Sequence, residues 1–293
     1  MRVGIVDIGS NTARLLVAAR QGPHLEGLHE ERALLALGEE IERFGRLSDL
    51  KLADTAERAR AYVRKARELG CASVEVIVTA PGRQAANARA LLRGLERATG
   101  LPARVLSAED EGRLAYEGAV LFARSLPERV AVCDVGGGST EIVVGTLSGG
   151  PAFCRSLDLG SLRLSRRLLA DDPPGKKALA AARRAVEAHF DGLDAPAADA
   201  ALATGGSARS LRKLAGRTLG EQELAEAVRT TAKRTSAQLS LELGLDPLRA
   251  RTLLAGTLIL AEAQRRLGVP LEIARGGLRE GAAAALLAAA AAA

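Results

Sequence analysis

Two segments of the chain repeat the same pattern of residues, and this repeat constrains the fold more than any other feature. The first runs from Val3 to Val17 and the second from Val130 to Val144, and they align without a gap. In each segment an apolar run ends in Asp-x-Gly, passes through small polar residues and resumes as a second apolar run. This pattern is typical of two strands joined by a tight turn that contains glycine, so each copy is predicted to form a β-hairpin.

The turns of the two predicted hairpins have the composition of phosphate-binding loops. They consist of Gly9-Ser10-Asn11-Thr12 and Gly136-Gly137-Gly138-Ser139-Thr140. Glycine allows close approach of the backbone, and several N–H groups that point one way can hold phosphate oxygens. Asp7 and Asp134 precede the turns at equivalent positions. A carboxylate beside a phosphate implies a cation between the two, so Mg²⁺ or another divalent cation is the expected cofactor.

Chain length and the spacing of the repeat favour two domains. At 293 residues the chain is long enough for two cores, and one domain start is expected near each hairpin. We therefore predict one lobe over residues 1–125 and a second over residues 126–280, with a cleft between them. A terminal helix over residues 281–293 is expected to pack back on the first lobe.

Charge and composition limit the class of ligand. The formal net charge of +6 and the pI of about 9.6 suit a polyanion, although arginines spread over solvated helix faces would give the same values. Aromatic residues make up only 2% of the chain, which argues against base-stacking nucleic-acid modules. The cysteines and histidines lack the spacing of a zinc site or a Ser-His-Asp triad.

The two ends of the chain favour a soluble cytoplasmic protein without a membrane partner. The first residues lead directly into a predicted strand and leave no room for a signal peptide. The Ala-rich end after Gly281 is too short and too weakly apolar for a transmembrane helix.

Between the two hairpins, the pattern predicts a polar stretch over residues 21–31 and a strand over Val74–Thr79. A helix is expected over about residues 84–98, which places Arg83 where a strand gives way to a helix, a frequent anion-binding position. An arginine on a solvated first turn is the alternative. Ser107-x-x-Asp110 predicts an N-cap, and the first turn that follows carries three acids, of which at least two are expected to be structural.

The second half contains a third glycine motif. A strand over Ala200–Thr204 is expected to run into Gly205-Gly206-Ser207 and then into a helix from about Ala208, which makes a third candidate phosphate or nucleotide contact. Residues 221–267 are predicted to be helical, with breaks near Gly244 and Pro247.

The three glycine motifs in this order resemble the actin-like ATPase superfamily, and within it the exopolyphosphatase and guanosine pentaphosphate phosphohydrolase (Ppx/GppA) family. The resemblance covers the chain from end to end. The matching segments are Asp7–Asn11, Val105–Leu114, Asp134–Glu141, Leu157–Leu164, Thr204–Ser207 and Gly277–Gly281. It implies an α/β fold with two ribonuclease-H-like lobes and a cleft between them.

The resemblance also implies an activity, the release of terminal phosphate from inorganic polyphosphate or guanosine pentaphosphate. In the family, the acid before the small-Arg-Leu triplet prepares the attacking water, which implies this role for Glu111. The second hairpin's Asp134 and Glu141 are implied metal ligands, with Asp7 as a third. The implied phosphate-binding residues are Gly9, Ser10, Asn11, Gly136, Gly137, Gly138, Ser139, Gly205 and Gly206.

Three arginines, Arg83, Arg163 and Arg279, are candidates for contacts with further phosphates. Arg83 lies in Thr79-Ala-Pro-Gly-Arg83, where the family usually has Thr-Ser-Ala-x-Arg. The expected partner is thus a polyanionic phosphate substrate and not a nucleic acid, and a homodimer stays open.

Two other functions remain open at the level of sequence. One is an ATP-dependent member of the superfamily, a small-molecule kinase or a chaperone-like ATPase. The other is a sensor that binds an alarmone or polyphosphate with little turnover. A water-activating acid argues against a pure sensor, since simple binding does not need one beside anionic phosphates.

Overall fold

The two repeated segments form the antiparallel hairpins that the sequence predicts. The computed structural model describes residues 1–22, 24–123 and 125–292. Elements of the first half are β1 (Arg2–Ile8), β2 (Thr12–Gln21), β3 (His24–Leu34), α1 (Leu37–Phe44), α2 (Asp49–Glu68), β4 (Ser73–Val78), α3 (Ala80–Gln84), α4 (Ala88–Thr99), β5 (Ala103–Val105) and α5 (Ala108–Val120).

The second half begins with the other hairpin and is richer in helix. Its elements are β6 (Arg129–Val135), β7 (Thr140–Thr146), β8 (Gly150–Leu157), α6 (Ser161–Leu168), α7 (Lys176–Phe190), β9 (Ala200–Thr204), α8 (Gly205–Ala215), β10 (Thr218–Leu219), α9 (Glu221–Lys233), α10 (Ser236–Leu243), α11 (Pro247–Arg251), α12 (Leu253–Leu267), β11 (Leu271–Ile273) and α13 (Leu278–Ala292).

The chain divides into two compact units. The first comprises Met1–Leu121 together with the end of the chain from Gly276, and the second comprises Phe122–Arg275. In the first unit, α13 packs against α5 and also contacts β1 and β2. Gly118 and Gly281 allow α5 and α13 to approach closely, because a Cβ on Gly281 would lie 2.0 Å from the Leu114 carbonyl oxygen.

Each unit contains one mixed sheet, and the two sheets share a strand order. The order is β3-β2-β1-β4-β5 in the first unit and β8-β7-β6-β9-β11, extended by β10, in the second. In both, the hairpin strands are antiparallel and the next strand inward is parallel to the first strand of the hairpin. The predicted α/β class with two ribonuclease-H-like sheets is therefore confirmed.

The cores are aliphatic, as the low aromatic content suggests. In the first unit, alternate residues of β1 such as Val6 and Ile8 pack with Tyr62 and Val63 of α2. In the second unit, α12 contributes a nearly continuous buried run, including Leu253, to a cluster around β6 and β9. None of the described helices combines the length and the apolar character needed to cross a membrane.

The structure adds to the predicted local structure and corrects parts of it. The polar stretch at 21–31 lies mostly in β3, an edge strand that pairs with β2 through its backbone although its side chains are largely exposed. The helix expected over about residues 84–98 is α4, which begins at Ala88, and a separate short helix, α3, precedes it and contains Arg83. The breaks expected near Gly244 and Pro247 are present, and further breaks after Lys233 and Arg251 divide residues 221–267 into four helices. The helix expected from Ala208 begins at Gly205, so the third glycine motif is the first turn of α8.

Candidate functional site

The first glycine loop joins β1 to β2 and is anchored by the residues before and within the first turn of α1. The Gly9 N–H donates to the Thr12 carbonyl at 3.0 Å and closes the turn. The N–H groups of Leu35 and Ala36 donate to the Asn11 carbonyl, and the N–H of Gly38 donates to that of Ser10 at 2.8 Å. Because the C=O and the following N–H of a trans peptide point in opposite directions, the loop N–H groups after these carbonyls face away from α1.

The second glycine loop is built in the same way. The Gly136 N–H donates to the Ser139 carbonyl at 3.0 Å. The first turn of α6 holds two loop carbonyls. The Ser161 N–H donates to the Gly136 carbonyl at 2.9 Å, and the Leu162 N–H donates to the Gly137 carbonyl at 3.0 Å. The repeat thus extends beyond the hairpins. In both units, backbone N–H groups at the start of a later helix donate to the loop carbonyls and orient the loop.

The third glycine motif forms the N-terminus of α8 directly beside β6. Gly205 has φ of 90° and makes a parallel bridge to Val135. A Cβ on Gly206 would lie 2.3 Å from the guanidinium of Arg249, so this cation lies against the backbone of the first turn. A helix N-terminus with an adjacent guanidinium favours an anion.

Three side chains of these loops carry buried polar atoms that have no hydrogen-bond partner among the described residues. They are the hydroxyl of Ser10, the amide oxygen of Asn11 and the hydroxyl of Ser207. Ser207 is fully buried, and Ser10 and Asn11 are 5% and 9% exposed. Buried polar groups are almost always satisfied in native proteins, so the Ser10 hydroxyl marks a place for an acceptor such as a phosphate oxygen. The Asn11 oxygen only accepts, so its partner would be a water or a cation. The Ser207 hydroxyl packs against Gly256 of α12, where a Cβ would lie 2.1 Å from it.

The acids of the two hairpins have different neighbours. Asp134 on β6 lies opposite Glu141 on β7, whereas Asp7 on β1 lies opposite Arg14 on β2. Cross-strand partners share a face of the sheet, so the second hairpin brings two carboxylates together and the first pairs a carboxylate with a cation. The Ser156 hydroxyl on β8 donates to Glu141 Oε1 at 2.8 Å and fixes that buried side chain.

The side chains of the second hairpin suit a magnesium ion better than a softer metal. The described residues contain no group of three or more His, Cys, Asp and Glu side chains suited to hold a metal. Mg²⁺ is commonly bound by one or two carboxylates, with waters and phosphate oxygens completing its shell, so two carboxylates such as Asp134 and Glu141 would be enough protein ligands. The Cys133 thiol, which neighbours Asp134, is no competing ligand, because burial and then the two nearby carboxylates raise its pKa and keep it protonated.

The three acids in the first turn of α5 differ in burial and in their partners. Ser107 caps the helix as predicted, accepting from the Asp110 N–H at 2.9 Å. Asp110 also pairs with Arg113, and Glu109 is exposed. Glu111 alone of the three is buried, and its Oε2 lies 2.7 Å from Nη1 of Arg83. Tertiary structure thus distinguishes Glu111 from two acids that the sequence places beside it.

The three arginines expected near phosphate all have protein partners. Arg83 pairs with Glu111, Arg163 with Asp158, and Arg279 with Glu30 at 3.3 Å. Arg163 and Arg279 are themselves buried.

Sequence reasoning missed Arg249. It lies in α11, where Asp246 caps the helix by accepting from the N–H groups of Leu248 and Arg249. The sequence around Asp246-Pro247 signals only a helix break, and nothing local relates Arg249 to Gly206, which lies far away along the chain.

Comparison with known proteins finds a family model that matches most of the chain. The family model of the Ppx/GppA phosphatase family matches residues 16–289. Exopolyphosphatase 1 of Mycobacterium tuberculosis is 30% identical, over 96% of this chain and 87% of its own length. Exopolyphosphatase 2 of the same organism is 30% identical over 65% of this chain and 62% of its own.

Solved structures agree with the sequence comparisons. The crystal structure of the Ppx/GppA family member from Aquifex aeolicus is 27% identical, with a TM-score of 0.83 over 100% of this chain and 98% of that one. An exopolyphosphatase from Cytophaga hutchinsonii, 17% identical, shares the fold with a TM-score of 0.89 over 99% of this chain and 98% of that one. With its three glycine loops and with a family model that matches nearly its whole length, this chain belongs to the Ppx/GppA phosphatase family.

Proposed function

We propose that this protein is an exopolyphosphatase, which hydrolyses the terminal phosphoanhydride bond of inorganic polyphosphate and releases phosphate. The observation that carries the proposal is the geometry of the first two glycine loops, whose carbonyls are held by neighbouring backbone N–H groups, together with the buried Ser10 hydroxyl, which has no partner among the described residues. Such loops offer N–H and hydroxyl donors to phosphate oxygens. The names of the mycobacterial relatives support the same substrate class.

In this proposal Glu111 orients a water molecule and accepts its proton as the water attacks the terminal phosphorus. Its burial at the first turn of α5 and its ion pair with Arg83 suit a general base, which must be held within hydrogen-bond reach of its proton. The attack breaks the bond to the bridging oxygen, which leaves with the shortened chain. No covalent phosphoenzyme is needed.

A Mg²⁺ ion held by Asp134 and Glu141, with Asp7 as a further candidate, would offset the negative charge that gathers on the phosphoryl oxygens. Each glycine loop offers donors suited to phosphate oxygens, because this chemistry depends mainly on positioning and electrostatics. The candidate loop donors are the N–H groups of Ser10–Asn11, Gly137–Ser139 and Gly205–Gly206, since the N–H groups of Gly9 and Gly136 close their own turns.

The aromatic residues favour an inorganic chain over guanosine pentaphosphate. Recognition of a purine base commonly uses an aromatic face for stacking. Tyr62, Tyr116 and Phe190 are fully buried, Phe153 packs against the core of the second unit, and Phe122 is half-buried. Exposed Phe44 is covered on one face by the guanidinium of Arg43, at 4.9 Å from the ring centre.

The proposal is tested by measuring phosphate release with Mg²⁺ on short polyphosphate, long polyphosphate, guanosine pentaphosphate and ATP in parallel. We expect release from polyphosphate, loss of activity on chelation and recovery when Mg²⁺ is restored. Tight binding of polyphosphate or an alarmone without release would show a sensor instead. Formation of ADP from ATP that depends on an acceptor would show a kinase.

We expect the Arg249→Ala variant to bind polyphosphate more weakly, with KM raised by about 10-fold, because a charge-assisted contact beside Gly206 is lost. Steady-state kinetics on one defined chain length would measure the change. Arg212→Ala is the matched control, since Arg212 is an exposed arginine on α8 and its loss changes the net charge equally. Equal KM values in the two variants would remove Arg249 from the site.

A further inference from the structure

Helix α3 lies unusually close to the ends of β4 and β5, because its third residue has no side chain. A Cβ on Gly82 would lie 2.9 Å from Val105 Cγ2 and 3.1 Å from Val78 Cγ1, both tighter than ordinary contacts. The backbone of α3 therefore rests directly on these two strands. This contact places Arg83, the next residue, beside the connection from β5 to α5.

One guanidinium nitrogen of Arg83 joins that connection to the first turn of α5. Its Nη1 donates to the Leu106 carbonyl at 2.9 Å and to Glu111 Oε2 at 2.7 Å. The side chains of Arg83 and Glu111 are 22% and 9% exposed. A carboxylate this deeply buried needs a charged partner, and here the partner is also tied to the peptide just before the α5 N-cap.

We propose that Arg83 is a positioning residue that holds the Glu111 carboxylate in its working orientation, an inference that rests on the proposed role of Glu111 as base. A general base acts only when its oxygen is held at the correct distance and angle to the water. Glu111 has several rotatable bonds, and the Arg83 guanidinium selects one arrangement of them. The Leu106 carbonyl in turn fixes the guanidinium.

This role differs from that of a phosphate ligand. An arginine that binds phosphate presents its planar fork of donors to the phosphate oxygens, whereas Nη1 of Arg83 is directed at two oxygen atoms of the protein. Loss of a phosphate ligand weakens binding of substrate. Loss of a positioning residue lowers turnover and leaves binding nearly unchanged.

The test begins with steady-state kinetics on polyphosphate for Arg83→Ala, Arg83→Gln and Arg83→Lys. For Arg83→Ala we expect kcat to fall by up to about 10²-fold, with KM changed by less than about 3-fold. Arg83→Lys is expected to recover part of kcat, because an ammonium restores the charge but not both contacts. Arg83→Gln keeps a donor for the Leu106 carbonyl without the charge and should recover less.

Arg104→Ala is the matched control. Arg104 forms an ion pair of the same length, 2.7 Å, with Glu75 in the same unit, and we expect its loss to leave kcat unchanged. A rise in KM with near-normal kcat in Arg83→Ala would overturn the proposal in favour of a phosphate ligand. Unchanged kinetics would overturn it as well.

A double-mutant cycle of Arg83→Ala with Glu111→Gln tests whether Arg83 affects turnover through Glu111 or independently of it. If Arg83 acts through Glu111, Arg83→Ala should change the residual kcat of Glu111→Gln by less than about 2-fold. Additive losses would overturn the proposal.

Crystal structures give a readout that does not depend on turnover. We expect the Glu111 side chain to leave its present orientation in Arg83→Ala, and an unmoved carboxylate would overturn the positioning role. Failure of the proposed function is recognised separately, because the wild-type protein would then release no phosphate from polyphosphate.

Discussion

The Glu111→Gln variant is expected to release phosphate from polyphosphate about 10²-fold or more slowly than the wild-type protein, because a neutral amide cannot accept the proton of the attacking water. Glutamine has nearly the same shape, and its amide oxygen can still accept from Arg83. The fold should therefore be retained, which thermal unfolding would verify. Phosphate release at saturating polyphosphate and Mg²⁺ measures the effect.

Glu109→Gln serves as the control for this prediction. Glu109 lies in the same first turn of α5 and loses the same charge, but it is exposed. Its replacement should leave turnover within about 2-fold of wild type, since surface substitutions are mostly mild. Near-normal turnover by Glu111→Gln would remove Glu111 from the mechanism. Equal losses of turnover in both variants would show that the negative charge of the first turn of α5 matters, and not the position of Glu111.

A second large effect is expected from Gly160→Ala, which should disrupt the second glycine loop. A Cβ at residue 160 would lie 2.2 Å from the Gly137 carbonyl oxygen and 2.4 Å from the Gly138 nitrogen, so the backbone of the loop must move. We expect kcat/KM to fall by about 10²-fold, since misplacement of donors by about 1 Å has effects of this size. The free energy of unfolding should fall by about 1–3 kcal/mol, as for other overpacked sites.

Gly175→Ala gives a matched comparison. Gly160 and Gly175 are the N-cap residues of consecutive helices, α6 and α7, and both have extended backbone with negative φ. A Cβ on Gly175 meets no atom within 4 Å, so alanine fits there. Chemical denaturation and kinetics on both variants would measure the difference. If Gly160→Ala behaved like Gly175→Ala, the loop would not depend on this close approach.

Much of the fold could be predicted because its signals are local. The hairpins follow from alternating apolar runs and glycine turns, and the Ser107 cap follows from its spacing to Asp110. Strand β3 could not be found in this way, because an edge strand with exposed side chains carries no apolar pattern and forms through backbone pairing with β2. The start of α8 was also misjudged, since two glycines predict a loop more readily than a helix.

Part of the candidate site could likewise be predicted from the sequence. The sequence identified the three loops, and the resemblance to a known family selected Glu111. The assignment of Arg83 to phosphate relied on its place between a strand and a helix, and that place does not reveal a carboxylate 28 residues further along the chain. Arg249 had no local signal at all.

The sequence by itself determined the repeated hairpins, the acids at their turns and the family, because turn chemistry and strand alternation act over a few residues. Only the tertiary structure decided which acid of α5 is buried against an arginine, which cation lies on Gly206, and how the starts of α1 and α6 hold the loop carbonyls. These contacts join residues distant in sequence. They depend on how whole elements pack, and packing sums many weak interactions that no short pattern of residues records.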